Sequence, residues 1–331
     1  MREAVFIRRN QERWRCYEQE PAASPEELAE RFVALTDDLA YARTFYPTAP
    51  ITQRLNALAA GFHQQLYKRP AAARRPLGYF WLTELPLLVA HYRRTLLVAL
   101  GLFLLFTGLG ALSAAEDATF VRLVLGDGYV NQTLENIRQR RPMDIYGSSP
   151  ETLMFLGIAF NNVRVTLIIF AAGLLAGGGT VYLLFRNAVM VGSFQYFFHE
   201  QGQLLPSVLS IWLHGTIEIS CLVLASGAGL VLGNSLLFPG AYPRGESFRR
   251  GARDGMRLMA GLIPLVVLAA FLEGFVTRHA PAHPWTVGAP VIALSALFIV
   301  GYFVLYPWYV HRRATRLGLG LGLADPDAEA P

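Results

Sequence analysis

Twenty-one consecutive residues, Thr95 to Ala115, carry no charge. About 20 apolar residues are what an α-helix needs to cross the hydrocarbon core of a bilayer. Comparable apolar runs recur at Val163 to Phe185, Leu204 to Phe238, Leu258 to Thr277 and Thr286 to Val310, with a weaker one from Ala188 to Leu205. In lipid every backbone N–H and C=O must find its partner within the protein, so only helices and closed barrels span it. Uninterrupted runs of this length make helices. The fold class is therefore all-α, a polytopic helical membrane protein. Composition agrees: 16% of residues are charged, against about 25% in soluble proteins.

The first 94 residues differ. They are polar, basic and helical in pattern. Phe6, Trp14 and Tyr17 fall on one face. Ser24-Pro25-Glu26-Glu27 is a helix start, with Ser as cap, Pro in the first turn and Glu27 in the capping-box position. Leu28, Phe32, Leu35 and Leu39 follow at helical spacing, and Tyr46-Pro47 ends that helix. A third helix is expected from Ile51 to about Tyr67 along Leu55, Leu58, Phe62 and Leu66, with His63 beside the stripe as a structural or exposed residue. Leu77 to Ala90, flanked by basic pairs, reads as an interfacial helix leading into the bilayer. The expected organisation is a small helical domain at 1–94, a transmembrane domain at 95–310, and a disordered tail at 311–331. No secretory signal pattern opens the chain, so the N-terminal region is expected in the cytoplasm.

Positive charge sets the orientation. Lys and Arg number 14 in residues 1–94, five in 240–257 and three at the C-terminal end. These three regions share a side only if an even number of crossings precedes residue 240. About six spans result, with both termini and the 240–257 loop in the cytoplasm and 116–160 outside. The protein is thus expected as a multi-pass protein of a bacterial inner membrane. A four-span arrangement, with 188–238 as a re-entrant hairpin, satisfies the charge rule equally. Arg244, Arg249, Arg250, Arg253 and Arg257 serve as an orientation signal or as contacts to anionic lipid.

Two ionisable groups stand out in the apolar run from Leu204 to Phe238. His214 and Glu218 are four residues apart and share a helix face. Such groups cost about 2.5–3.5 kcal/mol each at membrane depth. They either form a hydrogen-bonded network that sets helix packing or make a site for an ion, a proton or a lipid headgroup. Glu273, near the end of another apolar run, and Asn187 and Asn234 are further polar groups of this candidate cluster. Gly173 with Gly177, and Gly229 with Gly233, form Gly-x-x-x-Gly faces that allow close helix contact. His279 and His283 flank Pro281, which argues against a helical metal pair. No His-Glu-x-x-His, nucleophile elbow or phosphate-binding loop occurs, so no enzyme activity, cofactor or metal is expected. Cys16 and Cys221 lie in regions too unlike to pair.

Several stretches together resemble one known family. These are Trp14, the helix from Leu28 to Tyr46-Pro47, Arg54-Leu55-Asn56 with His63 and Tyr67, Asn161-Asn162-Val163 and Gly177-Gly-Gly-Thr180. Asn187, Gly192, His214-Gly-Thr-Ile-Glu218, Gly227-Ala-Gly-Leu230, Leu237 to Gly240 with Arg244, and Glu273-Gly-Phe275 complete the set. The sequence resembles the stage II sporulation protein M family over about residues 1–310, most specifically at His214 to Glu218. The resemblance implies a polytopic membrane protein. It also implies a role in assembly, because the family's namesake works in a membrane complex with peptidoglycan-degrading enzymes. The expected function is an inner-membrane assembly or scaffold protein in cell-envelope remodelling. The alternative is a transporter or lipid-handling protein that uses the His/Glu cluster. Expected partners are membrane lipids and other membrane or envelope proteins, with a homo-oligomer left open and no nucleic acid.

Overall fold

The computed structural model describes residues 2–20, 22, 24–67, 77–139, 151–277 and 284–316. The chain divides into two compact units, residues 1–76 and 77–331. No strand occurs among the described residues.

The first unit is three helices: α1 (Glu3–Gln19), α2 (Pro25–Phe45) and α3 (Pro50–Tyr67). Ser24 caps α2 by accepting from the Glu27 N–H, which satisfies one of the orphan donors of a helix N-terminus. Phe6, Trp14, Leu35, Leu39, Leu55 and Phe62 supply the core. Trp14 is fully buried, and its indole N–H donates to Asp38 Oδ2 at 2.7 Å. Arg13 pairs with the same oxygen at 2.6 Å. Arg54 holds Glu18 through two bonds of 2.9 and 2.8 Å, and this pairing pulls the Glu18 carboxyl below its ordinary pKa. His63 is exposed, with its ring 5.9 Å from Phe32.

The second unit starts with α4 (Leu77–Tyr79), a π turn (Phe80–Glu84) and α5 (Leu85–His91). This is the stretch expected as an interfacial helix. Its Leu85, Leu88 and Val89 are instead buried in a core with Ile217, Leu262 and Val266. The π turn leaves carbonyls free for other donors: Tyr302 and Tyr306 donate their hydroxyls to Trp81 and Leu82 at 2.6 and 2.9 Å. Then follow α6 (Arg93–Glu116), the short α7 (Ala118–Leu125) and α8 (Asp127–Arg138), and α9 (Glu151–Ala171) with a 3-10 turn (Ala172–Leu174). Next come α10 (Gly178–Glu200), α11 (Leu204–Leu237) and α12 (Arg244–Phe271), which runs into a π turn (Leu272–Val276). A π turn (Pro284–Gly288), α13 (Ala289–Val300), a further π turn (Gly301–Leu305) and α14 (Tyr306–Arg316) complete the unit.

Among the described residues five helical segments are long and apolar enough to cross a bilayer: Arg93–Glu116, Thr152–Leu174, Leu204–Leu237, Arg244–Val276 and Pro284–Arg313. A sixth long helix, α10, has 23 residues. At 1.5 Å per residue it is about 35 Å long, but Arg186, Asn187 and its Gln and Glu residues dilute its hydropathy. The structure corrects two boundaries. The expected span from Val163 to Phe185 is cut by a turn at Ala176 and Gly177, both with positive φ. Asn161, Asn162 and Arg164 therefore lie in the middle of α9, and Arg186-Asn187 in the middle of α10, rather than at helix ends. The 240–257 loop is also helical from Arg244 onward, where Glu246 pairs with Arg249 and Arg250.

Helix α11 is the centre of the unit and the most enclosed of the five spans. Its glycines explain how. A Cβ at Gly173 would collide with the carbonyl of Gly229, and one at Gly233 would collide with the backbone of Gly177. The two Gly-x-x-x-Gly faces thus pack on each other within the chain. Thr180 closes the contact by donating to the Ile169 carbonyl at 2.8 Å. Helices α6 and α10 meet as closely through Gly110 and Gly192.

Candidate functional site

The site begins on α11. His214 and Glu218 project from one face, as one-turn spacing requires. Glu273 comes from the π turn after α12. A π turn shifts the side-chain register by one residue and is frequent at functional positions; here it carries Glu273 to the α11 face. His214 Nε2 lies 3.8 Å from Glu273 Oε2. Ligand atoms of His214, Glu218 and Glu273 all lie within 4.8 Å of one another. His214 is buried, at 4% exposure, and the two carboxylates are partly buried.

Thr277 fixes the imidazole. Its hydroxyl donates to the Leu272 carbonyl at 3.2 Å and stands 3.0 Å from His214 Nδ1. With the proton on Nδ1, the Thr277 hydroxyl accepts it, and Nε2 lies on the side of Glu273.

The cluster forms part of the wall of a cavity of about 630 Å³. Asn161 and Asn162 of α9 and Asn187 of α10 add polar groups to that wall, and Val124, Leu125 and Tyr129 of α7 and α8 cover one side. Among the described residues no Lys or Arg lines it. Among the described residues no hydrogen bond is made to the carboxylate of Glu218 or Glu273. Asn187 also donates to the Leu183 carbonyl at 2.8 Å.

Of the residues singled out in the sequence, His214, Glu218, Glu273 and Asn187 share this cavity. Asn234 does not. It is exposed and lies 20 residues beyond His214 on α11, about 30 Å along the axis. The helical register cannot bring it back. His279 and His283 fall outside the described residues. Arg244, Arg249, Arg250, Arg253 and Arg257 lie on the first half of α12, where Arg257 faces Asp254 at 3.8 Å and Arg250 stacks 3.9 Å from the Tyr242 ring centroid. Cys16 and Cys221 are free thiols.

Sequence reasoning placed two arginines at the ends of a span. Arg164 and Arg186 are exposed in the interiors of α9 and α10, and neither has an ion-pair partner among the described residues. Arg164 shares its face with the exposed Leu153, Leu156, Phe160 and Leu167. The signal was the triple glycine at 177–179, which moves the helix boundary and with it the depth of both arginines.

The model of one family, described as Stage II sporulation protein M, matches residues 99–278. A second, described as a domain of unknown function (DUF8413), matches residues 4–68. No curated protein and no solved structure matches the chain.

Proposed function

The chain belongs to the stage II sporulation protein M family, and from that premise we propose that it takes a small polar or cationic species into its intramembrane cavity and passes it across the bilayer. One observation carries this reading: Glu218 and Glu273 turn their carboxylates to a cavity of about 630 Å³ that, among the described residues, no Lys or Arg lines. A network built only to pack helices would close its hydrogen bonds and leave no room. Charged groups at membrane depth otherwise mark paths for ions or substrates. In this reading the protein is not an enzyme. Its termini and the arginines of α12 face the cytoplasm across the inner membrane, as the distribution of positive charge supports.

The test is flux. Purified protein is reconstituted into vesicles that carry a pH-sensitive dye, and a proton gradient is imposed. Wild type should relax the gradient faster than empty vesicles, and Glu218→Gln should not, while it elutes and folds as wild type. Equal rates for wild type and empty vesicles would remove the proton-linked form of the reading.

A second reading, an assembly protein for cell-envelope partners, has its own support. On α9, Arg164 stands alone in an exposed apolar face. A lone cation at that depth calls for an acidic partner from another chain or a path to the headgroups. Crosslinking in the native membrane, wild type beside Arg164→Leu, separates the two. One stoichiometric protein captured only by wild type favours assembly.

A further inference from the structure

We propose that His214, Glu218 and Glu273 bind one divalent transition-metal ion. The proposal rests on the cavity being a binding site and goes on to name the class of ligand.

Three independent features meet here. The first is the donor set. An imidazole nitrogen and two carboxylates are the mixed N/O ligands that suit zinc and manganese. The second is charge. Among the described residues no Lys or Arg lines the wall, so the two carboxylates can carry their charges together at membrane depth only when a cation joins them. Loading the site with a dication beside a neutral imidazole brings the sum to zero, the state a low-dielectric medium favours. The third is orientation from outside the ligand set. Metal-bound histidines donate their second ring N–H to an oxygen, which fixes the tautomer and aims the ligating nitrogen. The Thr277 hydroxyl, 3.0 Å from Nδ1 of His214, is placed to take that role, and Nε2 lies on the side of Glu273.

The spacing fits. Two ligands bound at about 2.0–2.2 Å stand roughly 3.4 Å apart in a tetrahedral arrangement and about 4.2 Å apart when opposed. The 3.8 Å from Nε2 to Glu273 Oε2 falls within that range, and the 4.8 Å limit on the whole set closes with sub-ångström side-chain shifts. Three protein ligands leave coordination positions open, as in sites that exchange water or substrate. Here those positions face the cavity.

The experiment uses the full-length protein in detergent, stripped with a chelator, and titrated with Zn²⁺ and separately with Mn²⁺. Wild type should bind one ion per chain at saturation. Glu273→Gln and His214→Asn should each weaken binding at least about 100-fold. Thr277→Val should weaken it about 10–100-fold while keeping one site, as loss of an outer-shell partner does. Asn234→Ala, remote on the same helix, should leave binding unchanged. Should the ligand variants fail to fold, X-ray absorption of Zn²⁺-loaded wild type decides: one imidazole in an otherwise oxygen shell supports the site, and a shell without imidazole overturns it. Folded wild type with no saturable binding of either ion, or binding untouched in all three variants, also overturns it. The two readings fail separately. Vesicle flux sensitive to Glu218→Gln without metal binding sinks the metal site alone. Metal binding without flux sinks passage across the bilayer and leaves the site standing.

Discussion

The contact between α6 and α10 makes the sharpest test of the fold, because one helix carries both the experiment and its control. Gly108 and Gly110 are two residues apart on α6. A Cβ at Gly108 meets nothing within 4 Å, whereas one at Gly110 comes within 2.8 Å of Val189 Cα and 3.0 Å of the Val189 carbonyl carbon. Carbon atoms rest at about 3.5–4.0 Å, and backbone cannot rotate away as a side chain can. Gly110→Ala must therefore push α6 and α10 apart by roughly half an ångström to one ångström. A gap of that size forfeits a quarter to a half of each contact's attraction, along an interface that includes Phe103, Leu184 and Ala188. Overpacking of this kind costs about 1–3 kcal/mol. Alanine's better helix propensity returns about 1 kcal/mol in either variant. Gly108→Ala should then match or exceed wild type, and Gly110→Ala should lie about 1–3 kcal/mol below Gly108→Ala. Gly192→Ala, whose Cβ meets the Thr107 carbonyl from the other helix, should behave like Gly110→Ala. Reversible unfolding of the purified protein in mixed micelles with rising SDS measures all three. Equal stability of the Gly108 and Gly110 variants would refute the close approach of these helices.

Other outcomes follow from the first unit and from α12. Asp38→Ala strands the buried Trp14 N–H and should cost about 1–3 kcal/mol, read as faster hydrogen exchange across α1. Ser24→Ala removes the α2 cap and should cost about 1 kcal/mol, with exchange rising first at residues 26–28. Arg54 lowers the Glu18 pKa from its ordinary 4.5, so this pair's stabilisation is present above that value and is lost as pH falls through the lowered one. Acid unfolding of the first unit should be less steep in Glu18→Gln, and an unchanged profile would remove the pair from the account. Replacing Arg249, Arg250, Arg253 and Arg257 by Glu should scramble orientation, seen as altered protease access to tags at the two ends.

Much of this was legible from residues alone. The first unit follows from its Ser24-Pro25 start and its apolar stripes, because α2 and α3 are local structures with clear caps and periodicity. The spans follow from length and hydropathy. The turn between α9 and α10 was hidden because Gly173 to Gly179 is as apolar as the helices it separates, and hydropathy does not register a change of chain direction. The buried packing of Leu85 and Leu88 was hidden for a related reason: an amphipathic segment reads the same against headgroups as against helices. At the site, spacing placed His214 beside Glu218. It could not bring in Glu273, whose arrival depends on a π turn with no sequence signature and on the antiparallel run of α11 and α12.

That antiparallel pair is taller than the membrane that holds it. The 34 residues of α11 make a rod of about 51 Å, and a hydrocarbon core of about 30 Å crossed at a tilt of about 20° uses roughly 32 Å. Nearly 20 Å is left over beyond the hydrocarbon core. The bend that joins the two helices is braced by Glu246 with Arg250 and by Arg250 against Tyr242. Glu218 rides on one arm, and Glu273 sits just past the end of the other. Any change in the angle between α11 and α12 therefore changes the gap between the two carboxylates.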